Sequence, residues 1–515
     1  MMWHPNGLSE GCVEPQITTA AASRPERNYK AAMKTGSSQV EFGDFQTPAG
    51  LAHSVCAYLA RLGVAPATII EPTCGVGAFL LESLAAFPRA EKALGFDINA
   101  EYVASCRQLI LATGHQHRAQ VTEADFFQAD WQKLLDAASP PLLVIGNPPW
   151  VTNAALGAIG SSNLPVKTNF QGRKGLDAVT GKSNFDISEW MLLHFLEWLS
   201  GRQATLAMLC KTAVARKVLR HGWKQGLQIE RAELHGINAV ANFGASVDAC
   251  LLVCFMQPGS HSCDCDVYES LDNSASQQRT IGYHDERLIA DLELYQRRRE
   301  LAGSSSYRWR SGVKHDCAKV MELSESPDGL MNGFGEVVEI EDEYLYPMLK
   351  SSDVAKQALA PPKRWMIVTQ AEVGADTSAI ETLAPQTWTY LSAHADRLDR
   401  RGSAIYRKQP RFSVFGVGAY TFSPWKVAIS GFYKSLSFAV VGPHQGRPVV
   451  FDDTIYAIGC ETEHEARLLH RLLMSDEAQE FYRSMIFWDA KRTITVELLA
   501  ALSLDKLAAT CDAVR

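Results

Sequence analysis

The 515-residue sequence predicts an α/β fold: a mostly parallel sheet with helices on both faces, followed by a separate α+β domain. Three observations carry this expectation. From about residue 42 to Met256, short apolar strand candidates alternate with amphipathic helical stretches, the pattern of parallel strands joined by crossover helices. The chain exceeds the about 100 to 200 residues of one ordinary domain. A stretch with Pro258, Gly259, Gly303 and the run Ser304-Ser305-Ser306 divides it near the middle, as a connector between domains would.

The elements follow in order. Residues 1–38 are rich in Ser, Thr, Ala and Gly without periodicity, so they read as a flexible tail. The first domain, 39–257, begins with a strand at 68–70 and a helix at 79–87, then a strand at 93–96 and a helix at 101–113. It continues through a strand at 142–145, a helix at Ile187–Leu199 and strands at 204–210 and Ala249–Met256. Residues 258–306 are expected to be a linker. The second domain, 307–515, mixes aromatic-rich strand candidates at 365–369 and 412–415 with helices near the end.

Composition narrows the class. With 46% hydrophobic and 21% charged residues the chain has the balance of a globular protein, not of a disordered one. No basic leader precedes an apolar run, and no apolar run approaches the roughly 18 residues a membrane helix needs, so a cytoplasmic location without membrane contact is expected. Twelve cysteines are scattered without any CxxC pair, Cys263 and Cys265 being the closest two. His115 and His117 have no acidic or cysteine partner nearby in the sequence. Reduced thiols and no metal are therefore expected.

The net charge of −7 argues against a surface that clings to nucleic acid everywhere. Local charge points the other way. Residues 201–229 contain no Asp or Glu but carry Arg202, Lys211, Arg216, Lys217, Arg220 and Lys224. Residues 396–434 carry eight basic residues against Asp396 and Asp399, interleaved with Tyr406, Phe412, Phe415, Tyr420 and Trp425. Basic residues among aromatics suit contact with phosphates and bases, so both stretches are expected to touch DNA.

The motifs that carry chemistry lie at strand ends. Glu71-Pro72-Thr73-Cys74-Gly75-Val76-Gly77-Ala78-Phe79 closes the first strand and opens a helix, where a doubly wound sheet binds its ligand. Leu80 stands where a dinucleotide fingerprint wants a third glycine, which weakens a nicotinamide reading. Asp97, before Ile98, ends the next strand 20 residues after Gly77 and suits the two hydroxyls of a ribose. Asp125 could accept from an adenine amine while Phe126 packs on the purine face.

The most specific signal is Asn147-Pro148-Pro149-Trp150, directly after the fourth strand. An amine conjugated with an aromatic ring is a poor nucleophile. It needs acceptors for both N–H groups as its nitrogen becomes tetrahedral. Asn147 offers a side-chain carbonyl and Pro148 a main-chain one, and two prolines hold them rigidly. Trp150 offers a face for an extruded base.

In this order the motifs resemble the γ class of DNA adenine-N6 methyltransferases, the group that includes the TaqI enzyme. The resemblance covers roughly residues 42–256. It begins with Phe45-Gln46-Thr47-Pro48, similar to the segment that closes over the cofactor, and runs through the glycine loop, Asp97, Asp125-Phe126 and the Asn-Pro-Pro-Trp tetrad. It continues through Ser183-Asn184-Phe185-Asp186 and Asn242-Phe243, where Phe243 is similar to the aromatic that packs on the flipped base. More diffuse likeness follows at Gly312-Val313-Lys314, at 344–353 and at 472–507. Glu71 stands where the family more often has Asp. Cys74 reads as a packing residue, since cytosine-C5 chemistry needs a Pro-Cys nucleophile and the chain has no such dipeptide.

The resemblance implies a Rossmann-like S-adenosylmethionine-dependent methyltransferase domain followed by an α+β DNA-recognition domain. It implies S-adenosylmethionine bound by Phe45, Thr47, Pro48, Glu71, Thr73, Gly75, Gly77, Phe79, Asp97, Ile98, Asp125 and Phe126. Asn147, Pro148, Pro149 and Trp150 would serve catalysis on adenine in double-stranded DNA, and Trp150 and Phe243 would stack on the base. A separately encoded restriction endonuclease or defence subunit is the implied partner, and the triplet Asp489-Ala490-Lys491 reads as incidental. The rival readings are methylation of an RNA adenine or a protein glutamine amide, and a DNA-binding subunit without catalysis.

Overall fold

The computed structural model describes residues 46–151, 186–272, 276–359, 362–490 and 492–513. The first domain opens with helix α1 (Ala49–Arg61) and strand β1 (Thr68–Glu71), then α2 (Ala78–Ala86), β2 (Lys92–Asp97), α3 (Ala100–Ala112) and β3 (Ala119–Glu123). It goes on through α4 (Trp131–Ala137), β4 (Leu142–Gly146), α5 (Ile187–Leu199), β5 (Ala204–Lys211), α6 (Thr212–Lys224) and β6 (Ile229–Ile237). A short α7 (Ala239–Phe243) and β7 (Ala249–Met256) follow; β7 was expected, whereas α6, β6 and α7 add to the expected elements.

The sheet runs in the order β6-β7-β5-β4-β1-β2-β3 along this part of the chain. β1 to β5 are mutually parallel, and β7 runs antiparallel to both β5 and β6. Strand order reverses between β1 and β4, which places the ligand crevice of a doubly wound sheet at their carboxyl ends.

Strands buried on both faces need apolar side chains at every position rather than at alternate ones. β1, β4 and β5 meet that need with Ile69-Ile70, with 142–145 and with 204–210. Ile70, Leu142, Val144, Leu206 and Met208 point into one core with α5 and α6. Ile69, Leu143, Ile145, Ala207 and Leu209 point into the other with α1, α2 and α3. Successive residues alternate between the cores, as the two-residue repeat of a strand dictates.

The stretch 258–306 is not a bare connector. It forms β8 (Asp264–Tyr268), β9 (Gln277–His284) and β10 (Arg287–Ile289), which extend the same sheet to ten strands, and then α8 (Leu292–Arg298). β8 joins parallel to β6, with Ala232 opposite Cys265. Composition hid these strands because they lie toward the sheet edge, where one face meets water and side chains are polar. Ile289, Tyr295 and Leu301 pack into the core of the second domain.

That second domain holds a four-stranded sheet (Arg310–Ser311, Ile455–Cys460, Trp425–Ser430, Ala439–Val441) and a five-stranded one. The helices Glu463–Leu473 and Asp476–Met485 pack on the former. The strand expected at 365–369 is present as Arg364–Ile367. The one expected at 412–415 is not a strand. Phe412 adopts φ +62° and is fully buried against Trp388, and only Phe415 makes an isolated bridge, to Lys314.

The domains are tied through β10 and α6. Ser484 O accepts from the N–H groups of Ala290 and Asp291, at 2.7 and 2.9 Å. Arg216 of α6 is buried, pairs with Asp489 at 2.7 Å and lies 4.6 Å over the Phe487 ring. Asp489 thus has a structural partner, while Lys491 of the acid-x-Lys triplet lies outside the described residues. Removing one member of a buried ion pair leaves its partner charged and desolvated. Arg216→Ala is expected to lower stability by about 3 kcal/mol in denaturant unfolding, and Arg216→Ala with Asp489→Ala to cost less than the two single changes summed.

Candidate active site at the carboxyl edge of the sheet

The turn after β1 is shaped by two glycines in the left-handed region, Gly75 at φ +51° and Gly77 at φ +92°. The N–H of Gly75 donates to Asp97 Oδ2 at 2.8 Å, and Asn99 N–H donates to Oδ1 at 2.8 Å. Asp97 therefore fastens the turn to the end of β2. Val76 N–H donates to Gln46 Oε1 at 3.2 Å, which brings the segment before α1 over the same turn. A side chain at Gly75 would meet the Gln46 amide at 2.5 Å, and one at Gly77 would strike Cys106 Sγ.

Gly77→Ala thus combines a steric clash with an unfavourable φ. It is expected to lower stability by about 2 kcal/mol. Adding Cys106→Ala should recover only the steric part, leaving a residual loss readable by denaturant midpoint.

Glu71 is wholly buried beneath the turn, and its Oε2 makes no hydrogen bond among the described residues. Burial first, then neighbouring Cys106 and Asp97, hold its carboxyl well above the ordinary value despite a hydrogen bond from Leu80 N–H. A ligand cation or N–H placed there would relieve the carboxylate. The Cys74 thiol is held far above its usual range, by its hydrogen bond with Cys106 first and burial second; it is unsuited to nucleophilic work.

The other expected cofactor contacts divide. Thr73 Oγ1 donates to Asn147 O at 3.5 Å and so links the ends of β1 and β4. Ile98 is exposed, Thr47 is buried, and Pro48 caps α1 by accepting from the N–H groups of Leu51 and Ala52. Phe45 lies outside the described residues. Phe79 is wholly buried in the core under α2, so its ring supports the turn from below. Phe126 is likewise committed to the core, packed on Trp131, Phe195, Phe127 and Trp190. Asp125 accepts from Phe127 N–H at 2.9 Å and from Gln128 Nε2 at 2.7 Å, and so closes the turn after β3.

The tetrad leaves β4 beside this turn. Asn147 and Pro149 are half-buried and Pro148 is buried. Trp150 is only 6% exposed, donates Nε1–H to Leu209 O at 3.4 Å, and meets Phe243 edge to face at 5.1 Å between ring centroids. The face it was expected to offer is thus closed in this conformation, and Phe243, half-buried at the end of α7, is the more accessible ring. Chain folding has gathered Glu71, Asp97 and Asn147 from the ends of three parallel strands. Ser183, Asn184 and Phe185 lie outside the described residues.

Tertiary structure neutralises most of the first basic stretch and only part of the second, where Arg397, Arg400, Arg407, Lys408 and Lys434 stay exposed. In 201–229, Arg202 pairs with Asp136, Lys211 with Asp186, Arg216 with Asp489 and Lys217 with Glu189. Arg220 and Lys224 stay exposed. In 396–434, Arg401 donates to the carbonyls of Leu398, His315 and Ser413, Arg411 pairs with Asp399, and Lys426 is buried. Phe412 is buried, and Phe415, Tyr420 and Trp425 are half-buried. Sequence counting missed the pairing in 201–229 because Asp136, Asp186, Glu189 and Asp489 lie outside that stretch. Among the described residues no group of three His, Cys, Asp or Glu side chains could hold a metal ion, and no helix is long and apolar enough to cross a membrane.

No family model matches the sequence. The chain is 44% identical over 471 residues to the Type II methyltransferase M.NspV of Nostoc sp. (strain ATCC 29411 / PCC 7524), an alignment that covers 91% of this chain and 98% of that protein. Among solved structures, it is similar to the Type IIL restriction-modification enzyme MmeI in complex with DNA, with a TM-score of 0.49 and 14% identity. That alignment covers 90% of this chain and 64% of the MmeI chain. The EcoKI M protein of a Type I restriction enzyme aligns over 44% of this chain and 48% of its own, with a TM-score of 0.29 and 14% identity.

Proposed function

Because this chain belongs to the type II methyltransferase family, we propose that it transfers a methyl group from S-adenosylmethionine to the N6 amino group of adenine in double-stranded DNA. The observation that carries the reading is Asn147-Pro148-Pro149-Trp150 at the carboxyl end of β4, beside the reversal in strand order. The motif order of the γ class supports it further. The chain would act in the cytoplasm as the modification component of a restriction-modification or defence system, with any endonuclease a separate protein.

The residues present fit the cofactor. Asp97 is a strand-end carboxylate suited to ribose hydroxyls, and Glu71 holds a buried oxygen suited to an ammonium group. S-adenosylmethionine, when bound, supplies an electrophilic methyl on a sulfonium centre. Asn147 and the Pro148 carbonyl accept the two N–H groups of the amine and draw its lone pair out of conjugation. The nitrogen becomes strongly acidic once alkylated, so its proton leaves after attack and no dedicated base is required. Orientation supplies the remaining acceleration. Phe243 offers a ring to the base displaced from the duplex, offsetting part of the few kcal/mol of unstacking.

Incubation with labelled S-adenosylmethionine and plasmid DNA, followed by single-molecule sequencing, tests the reading. Label in adenine at one sequence context is expected. Label in RNA or protein, or none despite cofactor binding, would replace it with the corresponding rival.

A further inference from the structure

The proline pair creates a mechanical problem. Pro148 and Pro149 have no N–H, so the tetrad's main chain cannot be pinned through donors at those positions. Its path at the proline pair must be fixed by other anchors. Thr73 Oγ1 reaches Asn147 O at 3.5 Å and the Trp150 indole reaches Leu209 O at 3.4 Å, both long, neutral contacts. A further tether differs. Lys211 Nζ donates to Trp150 O at 3.0 Å and to Asp186 Oδ2 at 2.6 Å.

Asp186 is itself locked. Its side chain is 8% exposed, and its Oδ1 accepts from Ser188 N–H at 3.1 Å and Ser188 Oγ at 2.5 Å as the N-cap of α5. Ile187 N–H donates to Val151 O at 2.9 Å, so the chain leaving the tetrad is bound to the same helix start. Lys211 ends β5, the neighbour of β4, and caps α6. Its backbone is thus fixed by the sheet and its ammonium by a buried carboxylate. Charge-assisted bonds of this kind are about twice as strong as neutral ones.

We infer that Lys211, anchored by Asp186, is a positioning residue that fixes the main-chain path of the tetrad and thereby the aim of its acceptor carbonyls. It does not touch the reacting atoms. The inference rests on the proposed role of the tetrad, but not on which acceptor receives the methyl group.

Lys211→Met is expected to lower kcat about tenfold or more, because small misplacements of reacting groups cost steeply, while KM for DNA and Kd for S-adenosylmethionine stay within about threefold. Lys211→Arg, which restores a cation, should recover part of kcat. Hydrogen exchange of the Asn147, Trp150 and Val151 amides should quicken in Lys211→Met, a readout that needs no methyl acceptor. Wild-type kcat and wild-type exchange in a folded Lys211→Met would overturn the inference, as would equal loss of kcat and cofactor affinity. Should Lys211→Met fail to fold, Asp186→Asn decides: it removes the charge and keeps the shape, so faster exchange and lower kcat are expected and unchanged values overturn the inference. If the wild type methylates something other than adenine, the same kcat ratio is read on that acceptor, so the two readings fail separately.

Discussion

Asn147→Ala is expected to lower kcat for DNA methylation by about 100- to 1,000-fold, the usual cost of deleting one preorganised polar group from a transition-state site. The reason is differential binding. In the proposed mechanism the side-chain carbonyl would bond the amine most strongly as its nitrogen becomes tetrahedral, so its loss would fall on kcat more than on KM. Asn147 stands at the end of β4, while Glu71 ends β1, Gly75 lies in the turn from β1 to α2 and Asp97 ends β2, so Kd for S-adenosylmethionine should stay within about threefold. Asn147→Asp retains acceptor oxygens and should fall between wild type and alanine. Steady-state kinetics on plasmid DNA with calorimetric cofactor binding would read both quantities. A kcat within tenfold of wild type in Asn147→Ala would remove the tetrad from the mechanism.

Lys426→Met is expected to stabilise the protein, by about 2 to 4 kcal/mol near neutral pH. Lys426 lies in the strand Trp425–Ser430, is 3% exposed, and its Nζ donates to Ser423 O at 2.6 Å. Among the described residues no carboxylate pairs with it. Burial lowers its pKa to about 7, against a small opposing effect of Cys460. The unfolded chain holds its proton until about pH 10.4. Below pH 7 both states are protonated and the folded state bears the full cost of a buried cation. As pH rises from about 7 to about 10 the unfolded state binds more protons, so wild-type stability climbs by about 1.4 kcal/mol per pH unit from this group, and above that range the cost is gone. Lys426→Met should abolish that slope. Urea unfolding at pH 6, 8 and 10 would reveal it, and a variant less stable than wild type at pH 6 would show that the lost bond to Ser423 outweighs desolvation.

The parallel core was legible because burial on both faces demands unbroken apolar runs, and crossover helices demand amphipathic ones between them. The expected helix Ile187–Leu199 and strand Ala249–Met256 are found with those bounds, and the strand at 142–145 gains only Gly146. The placement of Gly75, Gly77, Asp97 and Asn147 at or just beyond strand ends was legible because each follows an apolar strand run. The strands within 258–306 were not, since polar edge strands share the composition of loops. α6 was hidden in the basic stretch, whose positive charge looked exposed until Asp186, Glu189 and Asp489 came beside it.

The sequence by itself thus determined the α/β class and the order of motifs at the strand ends, because these depend on local pattern and residue chemistry. Only the tertiary structure decided which charges remain free, that the rings of Phe79, Phe126 and Trp150 turn into the core, and that Lys211 reaches back to the tetrad. Those outcomes depend on contacts between residues tens to hundreds of positions apart, and such pairings carry no signature in the neighbouring sequence.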